Sequence, residues 1–290
     1  MPTSSRLTLV IGATLSLAGL AGCAGKHPEP AATAVAPVTS TASYDNPQTN
    51  PSAASNATTA ATPDAAAYRT IVDAPDRTPE DRALDVGRQP VELLQFLGVQ
   101  PGMRVAEISA GGGYTTELLA RAVAPNGVVY AQNSRFILER FAEKPWSERL
   151  ARPVMKAVVR VDRNFDDPLP PEATNLDLVI DNLFYHDTVW MKTDRDRMNR
   201  SIYAALRPGG AYVVVDHSGR SGTGTSEALT LHRIEEQIVR DEVQRVGFRL
   251  AAEGTFLRNP NDTRDWSASP RVAGARRGTS DRFVLRFVKP

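Results

Sequence analysis

The sequence predicts an α/β fold on a mostly parallel sheet, on three observations. Short continuous apolar runs recur after about residue 68, helical segments separate them, and a glycine cluster stands where the first run meets a helix. Strands covered on both faces are apolar at every position, whereas a strand with one wet face alternates. Apolar runs that alternate with helices therefore read as parallel strands joined by crossovers.

The elements follow in order. Thr78-Pro79-Glu80-Asp81 is a helix start signal, and 89–97 reads as a short amphipathic helix ended by Gly98. Residues 103–108 form the first strand, the glycines follow, and 114–123 has helical spacing. Asn126-Gly127 turns the chain into a second strand at 128–131. Further strands are predicted at 157–161, 176–180 and 211–215. Helices are predicted at 136–152, interrupted at Pro145, and at 189–206, which stops at the turn Arg207-Pro208-Gly209-Gly210. A helix is also expected through His232, with Leu231, Ile234, Ile238, Val239, Val243 and Val246 on its apolar face and Glu235 one turn from the histidine. Two last strands, 248–256 and 282–288, are joined by a long polar segment, so an antiparallel edge pair is expected.

Of the 290 residues, not all read as globular. Arg6 precedes an apolar run, 7–20, of the length of a signal-peptide core and too short to span a bilayer comfortably. It ends in Leu20-Ala21-Gly22-Cys23, which resembles the lipobox of bacterial lipoproteins and holds the chain's one cysteine. That resemblance implies cleavage before Cys23 and acylation of its thiol. With Ala24 next, it also implies a lipid anchor in the outer membrane facing the periplasm. Disulfides and cysteine-rich metal sites are excluded once Cys23 is used. Small and hydroxylated residues dominate up to about residue 67, a composition that cannot bury enough surface to offset its ordering entropy. The expected division is therefore a signal peptide over 1–22, a lipidated Cys23 with a tether to 67, and one domain over 68–290. A net charge of +1 without a basic run gives no reason to expect nucleic acid.

The stretch Val105-Ala106-Glu107-Ile108-Ser109-Ala110-Gly111-Gly112-Gly113 carries the main functional signal. Glycines there let the backbone turn sharply and approach a ligand, and the helix behind offers unpaired N–H groups. A nicotinamide site fits poorly, because the dinucleotide pattern wants glycine where Thr116 stands. Acidic Glu107 ahead of the glycines instead resembles motif I of class I S-adenosylmethionine-dependent methyltransferases, with Gly111 and Gly113 at its second and third glycines. Asp177-Leu178-Val179-Ile180-Asp181-Asn182 is similar to that family's fourth-strand motif. Leu206-Arg207-Pro208-Gly209-Gly210 running into 211–216 is similar to its approach to the fifth strand. With Tyr185-His186-Asp187, Asp216-His217-Ser218 and Leu231-His232-Arg233-Ile234, the string resembles a group of predicted bacterial methyltransferases, many of them exported.

The resemblance implies a Rossmann-like, seven-stranded sheet with the ligand crevice at the carboxyl ends of its strands. It implies S-adenosylmethionine as cofactor, held by Glu107, Ser109, Gly111, Gly113, Asn133 and Asp181. Two positions depart from the pattern. Ser109 replaces the first glycine, which a negative φ permits. Asn133 stands at the end of the second strand, where the family places an acid for the ribose hydroxyls. It is expected to keep one ribose hydrogen bond, and an acid restored there is expected to tighten binding.

Methyl transfer is a displacement at a sulfonium methyl, and positioning the nucleophile does most of the work. A base is needed only where the nucleophile carries a proton. Polar residues at the ends of the fourth and fifth strands are the candidates: His186 as base, His217 as its alternative, with Asn182 and Tyr185. The latter two match the outer residues of an Asn-Pro-Pro-Tyr motif, but Leu183 and Phe184 replace the prolines, so amine methylation does not carry over. His186, His217 and His232, with an aspartate, also allow a metal-hydrolase reading, which lacks local spacing such as His-Glu-x-x-His, and no metal is expected. Residues 258–266 are polar and aromatic enough for a lid. The function expected is methyl transfer to a small-molecule or envelope acceptor. The alternative is an exported binding module that keeps the fold without transfer, since S-adenosylmethionine is made in the cytoplasm and its charges do not cross a bilayer unaided.

Overall fold

A computed structural model describes residues 64–290. The expected signal peptide, Cys23 and most of the tether lie outside the described residues. Helix α1 (Ala65–Val72) begins before the expected boundary at 68, with Asp64 accepting from the Ala67 N–H and Tyr68 buried. Helix α2 (Pro79–Arg88) is capped by Thr78, and α3 (Pro90–Leu97) ends on left-handed Gly98.

Strand β1 (Arg104–Ile108) and helix α4 (Tyr114–Val123) flank the glycine loop. They are followed by β2 (Val128–Asn133), a short α5 (Arg135–Ile137) and α6 (Glu143–Leu150). The break expected at Pro145 falls earlier, in a π-helical turn over Leu138–Ala142, and Pro145 sits in the first turn of α6, where its missing N–H costs nothing. Strands β3 (Val158–Asp162) and β4 (Leu176–Asn182) precede α7 (Asp187–Trp190) and α8 (Arg195–Ala205). One helix was expected over these last two. Lys192 takes a positive φ of 57° between them, and Asp194 caps α8.

Strand β5 (Leu206–His217) absorbs the expected turn at 207–210 as a bulge: Leu206 pairs with Leu176, and pairing resumes at Leu178 and Ala211. The expected helix through His232 is two pieces, α9 (Ala228–Leu231) and α10 (Glu236–Arg245). His232 lies between them at φ 50°, and Glu235 accepts from the N–H groups of Gly222 and Gly224 rather than pairing with it. The chain ends in β6 (Arg249–Gly254) and β7 (Arg282–Val288).

The strands form one seven-stranded sheet in the order β3-β2-β1-β4-β5-β7-β6. All pairings are parallel except β5 with β7 and β6 with β7. The Rossmann-like α/β sheet with an antiparallel C-terminal pair is thus the observed architecture. Residues of β1 and β4, and residues 210–216 of β5, are almost wholly buried, as continuous apolar runs require. Register places Ile108 beside Asp181 and Asn182 beside Val215, so the carboxyl ends of β1, β4 and β5 open at one edge.

Candidate active site

A cavity of about 390 Å³ lies at that edge. Glu107, Ser109 and Gly111 line one side, and Asn182, His186, Asp187, His217 and His232 line the other. Ala268, Ser269 and Pro270 complete the wall.

The glycine loop shows where a ligand fits. Gly111 has φ +56°, and no protein atom lies within 4 Å of the place its Cβ would occupy. Gly113 differs: a Cβ there would meet Trp146 Cζ3 at 2.5 Å, and Trp146 is fully buried. Gly113 therefore serves the packing of α6 on the loop, which is not the ligand approach expected of it. Ser109 has φ +55°, so the negative φ that would excuse it is not adopted. A side chain in this left-handed region is strained, and Ser109 is held there by donating its N–H to Gln132 Oε1 at 3.0 Å.

Asn133 is fully buried and turned onto the loop. Its Oδ1 accepts from the Gly111 N–H at 2.9 Å, and its Nδ2 donates to the Gly111 carbonyl at 3.1 Å. The ribose contact expected of Asn133 is not available, because its amide is committed to Gly111. Arg149 braces the loop from α6, donating through Nε to the Gly112 carbonyl at 2.6 Å while pairing with Asp81 and Glu117. Glu107 is 3 % exposed and accepts from the Thr116 hydroxyl. Burial pushes its carboxyl up to about 7, against the lowering effect of Thr116.

On the far wall, Asn182 Nδ2 donates to Thr115 Oγ1 at 3.0 Å and so spans from β4 to α4 across the cavity floor. Tyr185 does not join it. It is fully buried, donates its hydroxyl to Glu242 at 2.9 Å and accepts from Asn199 Nδ2 at 2.9 Å. The expected Asn182–Tyr185 pair therefore diverges, and Tyr185 ties the loop after β4 to α8 and α10. Asp181 is fully buried and does not line the cavity. Burial first, and neighbouring Asp216 second, push its pKa well above the carboxylate range.

Three of the chain's four histidines meet here. Asp216 Oδ2 accepts from the His186 backbone N–H at 2.7 Å, and Asp216 Oδ1 accepts from its ring Nδ1–H at 2.7 Å. His186 Nε2 lies 3.1 Å from Asp187 Oδ1 and 3.2 Å from His232 Nδ1. His217 contacts Ser280 Oγ through Nδ1 at 2.7 Å, and its ring lies 5.6 Å from that of His186. Burial opposes a charge on His186, but Asp216 and Asp187 outweigh it and raise the imidazole to about 10. An imidazole that already carries a proton cannot take another, so His186 is not the base expected of it in this state. Burial lowers His217 well below its ordinary value, and the charge on His186 adds to that.

The expected lid, 258–266, is pinned rather than free. Arg233 and Asp262 form an ion pair at 2.9 Å with both side chains wholly buried, Trp266 donates to Asp262 at 2.7 Å, and the guanidinium stacks on the Trp266 ring. The cavity is instead met by the next segment, 268–270. Sequence reasoning missed Gln132, Arg149 and Asp187. Asp187 stands beside His186 in the sequence and could have been found by asking which acid flanks each histidine.

Comparison with known proteins bears on the fold and on the segment that carries the glycine loop. Residues 68–147 match the family model of protein-L-isoaspartate(D-aspartate) O-methyltransferase. A protein-L-isoaspartate O-methyltransferase of Aeropyrum pernix is 35% identical over 88 residues, covering 28% of this chain and 34% of its own. The chain thus matches about a third of that relative's length. A SAM dependent methyltransferase from Aquifex aeolicus superposes with a TM-score of 0.52 at 14% identity, over 78% of this chain and 99% of its own. A chain of the complex containing the Haloferax volcanii Trm112 methyltransferase activator gives 0.51 at 16% identity, over 77% and 97%. The cyclase SpnF gives 0.50 at 14% identity, over 72% and 81%. The fold is that of these solved methyltransferases, and residues 68–147 are similar to the protein-L-isoaspartate O-methyltransferase model.

Proposed function

We propose that this chain is an S-adenosylmethionine-dependent methyltransferase whose acceptor is a small molecule or an envelope component. The observation that carries it is the open space over Gly111, in the same cavity as Glu107 and facing the polar ends of β4 and β5. The cofactor lies along the loop, and the acceptor lies against Asn182, His217 and the His186–Asp187–His232 wall. The chain's part in the reaction is to hold the two in line and exclude water.

The first test is calorimetry with S-adenosylhomocysteine on the full chain. Wild type binds, and Gly111→Ala loses at least tenfold in affinity, because its methyl group enters the ligand's space. Strain at the left-handed position costs that variant about 1 kcal/mol of stability, so circular dichroism accompanies the measurement. No binding by a folded wild type rejects the reading.

A second reading, a binding module without transfer, is favoured by the absence of an acid at the end of β2, where Asn133 is committed to the loop. SpnF, a cyclase of the same fold, illustrates that the fold does not fix the chemistry. Release of S-adenosylhomocysteine from S-adenosylmethionine when envelope extract is added supports transfer, and binding without release supports the module. The address proposed is the cell envelope, through a lipid on Cys23. Cys23→Ser is expected to leave the membrane fraction, and retention of that variant defeats the anchor.

A further inference from the structure

We infer that His186, Asp187 and His232 form a binding site for one divalent transition-metal ion. Their ligand atoms, His186 Nε2, Asp187 Oδ1 and His232 Nδ1, stand at the corners of a nearly equilateral triangle with sides of 3.1, 3.2 and 3.2 Å. An ion about 2.1 Å from each of three ligands sets them about 3.0 Å apart in an octahedron and about 3.4 Å apart in a tetrahedron. The triangle falls between those values, as one face of either polyhedron.

Hydrogen bonding accounts for at most two of the three edges. With the carboxylate ionised, Asp187 only accepts. If both imidazole nitrogens are protonated, the His186–His232 edge sets donor against donor. If one is protonated, the other nitrogen faces the carboxylate as acceptor against acceptor. If neither is, no edge has a donor. A three-centre bond from one shared N–H satisfies two edges and leaves the third as a contact between acceptors, whereas a cation at the centre takes a lone pair from all three.

The surroundings orient the ligands as metal sites require. Asp216 Oδ1 takes the Nδ1–H of His186 at 2.7 Å, so the proton that an incoming ion displaces is the one on Nε2, whose lone pair then points into the triangle. Trp190 Nε1 donates to Asp187 Oδ1 at 2.7 Å and fixes the carboxylate. His232 is swung inward by its left-handed backbone, φ 50°, at the end of α9. All three residues line the cavity, so the remaining coordination positions face the space shared with the glycine loop. Two imidazoles and one carboxylate suit ions of the zinc, iron(II) and cobalt class better than magnesium or calcium. An oxygen of the methyl acceptor completes the ion's shell there. That use rests on the methyltransferase reading, but binding of the ion does not.

The test is titration of untagged, chelator-treated full-length protein with Co²⁺, read by visible absorption, and with Zn²⁺ by competition. One equivalent binds wild type with the spectrum of a nitrogen- and oxygen-ligated ion, while His232→Ala and Asp187→Asn each weaken binding by about 100-fold or more. A folded wild type that takes up no Co²⁺, or one whose uptake is unchanged in both variants, overturns the inference. S-adenosylhomocysteine binding is measured on the same chelated sample. Cofactor binding without metal uptake rejects the metal site and leaves the proposed function standing. Metal uptake without cofactor binding does the reverse.

Discussion

Asn133 grips Gly111 from both sides, accepting its N–H at 2.9 Å and donating to its carbonyl at 3.1 Å. The last residue of β2 thereby fixes the loop that the ligand must meet. An amide suits this because it carries a donor and an acceptor on separate atoms of the same short arm.

Asn133→Asp therefore weakens cofactor binding, the opposite of what the sequence pattern leads one to expect. The substitution deletes the donor, sets a buried carboxylate against the Gly111 carbonyl, and costs about 1–3 kcal/mol of stability. Denaturant unfolding and the Kd of S-adenosylhomocysteine check it together. A variant that binds more tightly than wild type shows that the carboxylate turns to the ribose and that Asn133 is not the loop's anchor.

Ser109 offers the converse case, a side chain where glycine fits better. At φ +55° its Cβ is strained, and Ser109→Gly removes that strain while adding a smaller entropic cost in the unfolded chain. The variant is expected to gain about 0.5–1 kcal/mol in denaturant unfolding. Ser109→Val, β-branched in the same region, is expected to lose more than that. Equal stability of the glycine variant and wild type would mean that Ser109 makes a compensating contact.

These two residues mark where the sequence stopped being legible. The strands of the sheet were readable because burial on both faces demands uninterrupted apolar side chains, as in Val213, Val214 and Val215 of β5. Glu107, Gly111, Asn182 and His217 were readable as cavity residues because open α/β sheets bind ligands at their strand ends. The side-chain directions were not. Tyr185 sits one residue before His186 yet turns into the α8–α10 layer, a choice made by Glu242 and Asn199 far along the chain. His232 was hidden inside what reads as one amphipathic helix, because nothing local announces its left-handed backbone. Only the crossovers bring it within 3.2 Å of His186, 46 residues away in the chain.

The buried pair Arg233–Asp262 pins the segment between β6 and β7, whose residues 268–270 line the cavity. Asp262 accepts from Arg233, Trp266 Nε1 and the backbone N–H groups of Arg264 and Asp281. Asp262→Ala strands a wholly buried guanidinium and is expected to cost about 3–5 kcal/mol. Because residues 268–270 line the cavity, affinity for S-adenosylhomocysteine falls as well. A loss under about 1 kcal/mol, small for a buried ion pair, shows that the clamp contributes little.

Glu107 predicts a pH dependence whose sign follows from its environment. Burial raises its folded pKa to about 7, from an ordinary value of 4.5. Between those two values the folded state keeps the proton and the unfolded state has released it, so stability falls as pH rises. The slope is about 1.4 kcal/mol for each pH unit across that window, and the contribution is flat below 4.5 and above 7. Glu107→Gln removes the titrating group while keeping an acceptor for Thr116. The difference in unfolding free energy between wild type and Glu107→Gln, measured from pH 4 to 9, is expected to change in wild type's disfavour by that slope and then level off. Parallel curves over the whole range show that Glu107 is ionised in the fold, held as a carboxylate by Thr116, Thr115 and the nearby Arg88 and Arg149.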